Sequence, residues 1–347
     1  MLTPRERFTR CAFGQDVDKL PVQCDFSASG LQGFLASRGV DRVSDLELLP
    51  FFDNHVLYAY MDGVTLRLKT CDYRGEHIIY DEWGNGWDTT QDLMYCTEPL
   101  DSWEKLESYT FPDPDAAGYL DYTKRLISEG YARDLIVTSY HFCTLFERAY
   151  MLRGFENIMM DMLLESDKAN MLLDKITDFH VKLAKRYIKL GVNCGRTVDD
   201  YGNQTNLMMS PEIWREFFKP RLKKIHDVYH DAGLPVIHHS CGNITLLMED
   251  FIELGINVLN PVQPAALDVK ILSDKYGDKI TFFGGICNQT VLPTGTPEEV
   301  RAHVKKQTEI LGAHGRFVIA PSNGVGKDVP LENVEAFFAA AEQYRQL

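Results

Sequence analysis

The chain has 347 residues, 45% of them hydrophobic and 25% charged, the composition of a globular protein long enough for one large α/β barrel or two medium domains. A formal net charge of −14 repels phosphate backbones and anionic lipid alike, so nucleic-acid and membrane-surface binding are disfavoured and a small molecule or protein partner is expected. No apolar run approaches bilayer-spanning length, and the eight cysteines stand singly without a CxxC pair, which predicts a reducing, cytoplasmic setting.

In chain order, Thr3-Pro4-Arg5-Glu6 reads as a helix start with a capping box, and it has no secretory-signal character. A strand is predicted from Leu20 to Asp25, and an ambiguous one near Val56 to Val64. From about Val64 to Leu100 the pattern breaks into short β-like pieces and turns such as Asp81-Glu82-Trp83-Gly84-Asn85-Gly86-Trp87, read as an insertion or lid. Further strands follow over Leu135 to Tyr140, Val192 to Val198, Leu234 to His238, Val258 to Val262, Thr281 to Gly285 and Phe317 to Ala320. Between them lie amphipathic helical stretches. Ser210-Pro211-Glu212 opens one with apolar Ile213, Phe217 and Phe218, and Thr296-Pro297-Glu298-Glu299 opens another with a capping box. Pro330-Leu331-Glu332-Asn333 starts the last. Eight strands alternating with helices predict a (β/α)8 TIM barrel, one domain over 1–347 with an insertion at about 64–100, in which Cys24 and Cys194 are core residues.

Active sites of such barrels gather at the carboxyl ends of the strands, and here those ends are polar. They read Asp199-Asp200-Tyr201-Gly202-Asn203-Gln204, His239-Ser240-Cys241-Gly242, Asn260-Pro261-Val262-Gln263-Pro264, Gly285-Ile286-Cys287-Asn288-Gln289 and Pro321-Ser322-Asn323-Gly324. His239 and Cys241, two apart at a strand end, aim at one point, and imidazole with thiolate suits zinc. The bland alternative is a buried histidine beside an inert cysteine, but placement on a catalytic rim with Cys287 favours the metal. His238 is expected to face the layer between sheet and helices. The acids Asp199 and Asp200 admit two roles, capping a turn or serving as a ligand or general acid/base, and Asp200 is preferred for the second. His226 and His230 are expected to be solvated, and His141 is a further rim candidate. Gly324-Val325-Gly326-Lys327 lacks phosphate-loop spacing.

From Thr3 to the C-terminus the chain resembles the uroporphyrinogen decarboxylase superfamily, and specifically its methyltransferase-like branch. The motifs that carry this are Thr3-Pro4-Arg5-Glu6-Arg7-Phe8, Asp199 to Gln204, Ser210-Pro211-Glu212-Ile213-Trp214, His239 to Gly242, Gly284-Gly285-Ile286, Leu292-Pro293-Thr294-Gly295-Thr296-Pro297-Glu298-Glu299-Val300 and Val329-Pro330-Leu331-Glu332-Asn333-Val334. The resemblance implies a (β/α)8 barrel and offers two activities. Decarboxylases of the family carry an arginine-rich segment after the first strand to hold the substrate's carboxylates. Here it reads Cys24-Asp25-Phe26-Ser27-Ala28-Ser29-Gly30, without arginine, which argues against that activity.

The branch's corrinoid-dependent methyltransferases bind Zn2+ through a His-x-Cys pair, which maps onto His239 and Cys241, and through a later Cys where this chain has Ser322 and Asn323. Cys287 is taken as a substitute third ligand and Asp200 as acid/base or fourth ligand. Tyr201, Asn203, Gln204, Asn288, Gln289 and Asn323 are expected to line the substrate pocket. The implied reaction moves a methyl group between a small methyl ether or thiol and a corrinoid (cobalamin) on a partner protein. A non-catalytic corrinoid- or tetrapyrrole-binding barrel is a further alternative, and the assembly state is open, a homodimer included.

Overall fold

Thr3 opens the first helix, Pro4–Ala12, with both halves of the capping box in place. The computed structural model of the chain describes residues 1–40, 52–61, 78–88 and 94–346. Its strands are β1 (Val56–Ala59), β2 (Ile78–Tyr80), β3 (Gly86–Asp88), β4 (Met94–Tyr95), β5 (Ile136–Ser139), β6 (Gly195–Val198), β7 (Val236–His239), β8 (Val258–Val262), β9 (Thr281–Ile286) and β10 (Phe317–Pro321).

β1 pairs in parallel with β5, and β6 to β10 form a parallel sheet in sequence order. Single bridges join β5 to β6, with the Ser139 N–H donating to Cys194 O at 2.9 Å and the His141 N–H to Arg196 O at 3.0 Å. On the far edge β10 meets the 20–25 segment, where the Gln23 N–H donates to Ile319 O and the Ile319 N–H to Pro21 O, both at 3.0 Å. The predicted first strand is present here as a bridged segment, because Pro21 has no N–H to give a ladder. Side-chain amides complete its other side. Gln23 Oε1 accepts the His55 and Val56 N–H groups at 3.1 and 3.0 Å, and its Nε2 donates to Val56 O at 3.1 Å. Asn54 brackets Cys24 in the same way, at 2.9 and 3.2 Å. Eight extended segments thereby close into the expected (β/α)8 barrel.

Alternate residues of the ring point inward. Val56, Tyr58, Ile136, Cys194, Ile237, Val258, Phe283, Val318 and Ala320 form an interior core, joined by Phe8, Cys11 and Ala12 of the first helix. A larger apolar layer packs between sheet and helices, and it includes Cys24, Tyr187, Trp214 and Phe217. The Ser166–Leu190 helix ends at Gly191 in left-handed geometry. Ser210 caps Pro211–Phe217, and a separate helix, Lys219–His230, follows because Pro220 cannot continue the hydrogen-bond ladder. Among the described residues, no helix is long and apolar enough to cross a membrane.

Between β1 and β5 the chain carries a small antiparallel sheet, β2–β3–β4. Of the insertion expected at about 64–100, residues 64–77 and 89–93 lie outside the described residues, as does the 62–64 end of the second predicted strand. The Asp81 turn is fixed by its carboxylate, which accepts the Trp83 and Asn85 N–H groups at 2.9 Å each and forms a buried ion pair with Arg148 at 2.7 Å. Arg148 belongs to the Phe146–Arg153 helix that follows β5, so the small sheet is tied to the carboxyl-end rim of the barrel.

Candidate functional site

β7 delivers His239 at its carboxyl end. Its Nε2 lies 3.5 Å from Cys241 Sγ and 3.8 Å from Asp200 Oδ1. Asp200 arrives two residues beyond Val198, the partner of His239 in the β6–β7 register, and its Oδ1 accepts the Cys241 N–H at 2.8 Å. Ligand atoms of the three residues all lie within 4.8 Å of one another, the one such group of His, Cys, Asp and Glu among the described residues. Zinc bonds of about 2.0–2.3 Å in a tetrahedron set ligand atoms roughly 3.4–3.6 Å apart, so the nitrogen–sulfur spacing fits and the oxygen needs a small inward shift. The loops carrying them abut backbone to backbone. Gly242 has φ +82°, and a Cβ there would stand 2.4 Å from Gly202 C and O.

Burial first, then Arg196, hold the His239 imidazole down to about 4 against the opposing pull of Asp200, so it is neutral at pH 7. Burial and then the Asp200 carboxylate push the Cys241 thiol up. A carboxylate and a thiol crowded together in a half-buried place are a donor set that a divalent cation would reconcile, taking the thiol as thiolate. The residues present therefore fit zinc.

Around this cluster stand three further residues: Arg196 and Glu147, which sequence reasoning missed, and Asn260, which it placed at a polar strand end without a role. Arg196 of β6 points into the barrel, its guanidinium carbon 4.5 Å over the Tyr58 ring and 4.8 Å over the Tyr140 ring, with Nη2 3.2 Å from His239 Nδ1. Asn260 stands opposite His239 in the β7–β8 register, and its Oδ1 lies 2.7 Å from Nδ1. Glu147 is pushed well above the usual carboxylate range by burial, then by Asp200 and Asp199, and its buried Oε2 has no hydrogen-bond partner among the described residues. One signal was available: an arginine inside a predicted barrel strand cannot face the apolar helix layer and must face the interior.

The two acids separate. Asp199 is buried and accepts the Leu145, Phe146 and Glu147 N–H groups at 3.1, 2.9 and 2.8 Å, so it caps the Phe146–Arg153 helix. Burial holds its carboxyl up at about 6 despite these bonds. Asp200 is the one that joins the cluster. Cys287, expected as a third ligand, is not brought there. The chain turns after β9 so that its thiol meets Thr290 Oγ1 at 3.3 Å, and Asp200 occupies the place beside His239 and Cys241.

Among the expected pocket residues, Asn323 reaches the cluster, its Nδ2 3.6 Å from Cys241 Sγ. Tyr201 instead turns into the core, donating to Asp199 Oδ2 at 2.6 Å, since its ring packs with Trp214 and Phe218. Asn203 Oδ1 holds its own turn by accepting the Thr205 and Asn206 N–H groups. Gln204 accepts from Gln289 across the rim at 3.3 Å, and Asn288 Oδ1 accepts the Ser322 hydroxyl at 2.8 Å. His141 is buried behind the sheet, 2.6 Å from the Tyr229 hydroxyl, and so is not on the rim. His226 is buried rather than solvated because its helix face packs on the sheet, where Nε2 lies 2.9 Å from Thr197 Oγ1. His230 is half-buried. His238 lies between sheet and helices as expected, 2.9 Å from the same hydroxyl.

Residues 89–344, well over half of the chain, match the family described as Uroporphyrinogen decarboxylase (URO-D). The chain belongs to the uroporphyrinogen decarboxylase family. Methylcobamide:CoM methyltransferase MtbA of Methanosarcina acetivorans is 22% identical, covering 99% of this chain and 98% of its own. A uroporphyrinogen decarboxylase of Christiangramia forsetii is also 22% identical, covering 73% and 72%. A solved methyltransferase from Methanosarcina mazei shares the fold, with a TM-score of 0.72 over 99% of both chains at 18% identity. The expected place beside the methyltransferase-like members of the URO-D family is borne out. In this URO-D chain the arginine-free segment after the first strand provides a helix cap, Ser27 Oγ accepting the Gly30 N–H.

Proposed function

We propose that this URO-D family chain is a zinc-dependent methyltransferase. It would move a methyl group between a small methylated substrate, of the methyl ether or thiol class, and a corrinoid carried by a partner protein. The observation that carries the reading is the Asp200, His239 and Cys241 cluster at the mouth of a barrel whose end-to-end relatives include methylcobamide:CoM methyltransferases.

His239 Nε2, Cys241 Sγ and Asp200 Oδ1 would hold the ion and leave a position open, the arrangement of catalytic zinc sites. Bound there, zinc supplies a Lewis acid that polarises an ether oxygen or lowers the pKa of a thiol. Because His239 is neutral at pH 7, it would ligate without first losing a proton. Asp200 fixes the Cys241 backbone, and the Asn323 amide faces the sulfur. Arg196 brings a fixed positive charge beside the cluster, which favours an anionic leaving or attacking group there.

Purified protein is expected to hold about one zinc per chain and to methylate free cob(I)alamin from an aryl methyl ether or a methylated thiol. Protein without zinc, its metal content unchanged by Cys241→Ala, would sink the reading. Appreciable release of carbon dioxide from uroporphyrinogen would replace it with decarboxylation.

A further inference from the structure

A neutral imidazole offers a metal one nitrogen, and the hydrogen bond made by the other decides which. At His239 the deciding partner is the Asn260 amide, itself oriented by two further groups. Its Oδ1 lies 2.7 Å from His239 Nδ1 and 3.1 Å from Arg196 Nη2, while its Nδ2 faces the Phe283 carbonyl at 3.5 Å. Turning the amide over would set its NH2 against the guanidinium, donor on donor, and its oxygen against the Phe283 carbonyl, acceptor on acceptor. The amide oxygen therefore faces His239. An oxygen at 2.7 Å from Nδ1 calls for a proton on Nδ1, which leaves the lone pair on Nε2, the atom directed at Cys241 Sγ and Asp200 Oδ1.

A guanidinium has no acceptor and does not give up its proton in a protein, so Arg196 Nη2, 3.1 Å from Asn260 Oδ1 and 3.2 Å from His239 Nδ1, can only donate. A lone pair on Nδ1 could take that bond, but it would then face the amide oxygen at 2.7 Å with no proton between them, so the oxygen is the acceptor of the guanidinium and Nδ1 carries the proton. The position of Arg196 between the Tyr58 and Tyr140 rings, at 4.5 and 4.8 Å, keeps it in place. Both Arg196 and Asn260 are 6% exposed, which leaves little room for water to compete.

We propose that Arg196 and Asn260 are positioning residues that lock His239 as its Nδ1–H tautomer, with Nε2 as the ligating atom. The purpose of the lock rests on the metal reading above, whereas the tautomer itself does not.

Nitrogen NMR of the full chain labelled with 15N-histidine reads tautomers directly, and His239→Gln identifies the signals of this residue among the ten histidines. Metal-free wild-type protein is expected to show a pyrrole-type Nδ1 and a pyridine-type Nε2 at His239. The reverse pattern would overturn the proposal whether or not the protein takes up zinc. Asn260→Leu is expected to mix the two tautomers and to weaken zinc binding about 10- to 100-fold in competition with a chromophoric chelator. Asn260→Asp, which keeps the acceptor, should retain the tautomer and most of the affinity. A folded Asn260→Leu variant with the wild-type nitrogen pattern would also refute the lock. If wild-type protein binds no zinc while the expected pattern is present, the metal reading fails and the tautomer assignment stands.

Discussion

Adjacent acids of the same type do different work, and their exposure and partners decide which. Asp199 satisfies three backbone N–H groups and a tyrosine hydroxyl, so Asp199→Ala is expected to destabilise the fold by about 3 kcal/mol or more in urea unfolding. Asp200→Ala should shift that stability by less than about 1 kcal/mol and instead weaken zinc binding in a chelator titration. Equal effects of the two substitutions on stability would contradict this division. Gly242 offers a second test, because its left-handed backbone and its contact with Gly202 leave no room for a methyl group. Gly242→Ala is expected to separate the Asp200 and Cys241 loops and abolish stoichiometric zinc binding, while far-UV circular dichroism stays close to wild type. The His-x-Cys pair was legible in the sequence because side chains two apart at a strand end share a direction. The third partner was not, since Cys287 and Asp200 are both rim residues and only the turn after β9 takes one thiol away.

At the scale of elements, the strands were legible wherever the period-two apolar pattern and helix caps bracketed them, as with β8, found over Val258–Val262 as predicted. The first strand was legible as extended chain but not as a bridged segment. Its pairing with β1 passes through the Gln23 side chain, a bond that no periodicity encodes. Gln23→Leu would leave two N–H groups and a carbonyl of the β1 edge buried without partners. A loss of about 3 kcal/mol is expected, read as a lower urea midpoint. An unchanged midpoint would mean that the seam closes by some other contact.

At the scale of the whole molecule, the buried imidazoles set the response to acid. Burial holds His55 and His239 down to about 4 and His141 and His238 to about 3, and it lowers His180 and His226 well below the ordinary value of 6.5. As pH falls from 6.5 toward 4, the unfolded chain takes up protons that the folded chain refuses, so stability is lost through that window. Each such group contributes a slope of up to about 1.4 kcal/mol per pH unit. Asp199, held up at about 6, and Glu147, held well above the usual carboxylate range, act in the opposite sense, two groups against six imidazoles. Stability of the metal-free protein by urea unfolding is therefore expected to be lower at pH 5 than at pH 7. Equal values at both would show that these imidazoles are not neutral in the folded chain.

The sequence by itself determined the barrel, the strand ends that form its rim, the family and the His239–Cys241 pair, because each of these is written in local spacing: period two, cap residues and short motifs. Only the tertiary structure decided that Asp200 rather than Cys287 stands with the pair, that His141 and His226 are buried behind the sheet, and that Arg196 and Asn260 support His239. Those outcomes depend on register between strands and on where loops turn in space, which set distances between residues far apart in the chain.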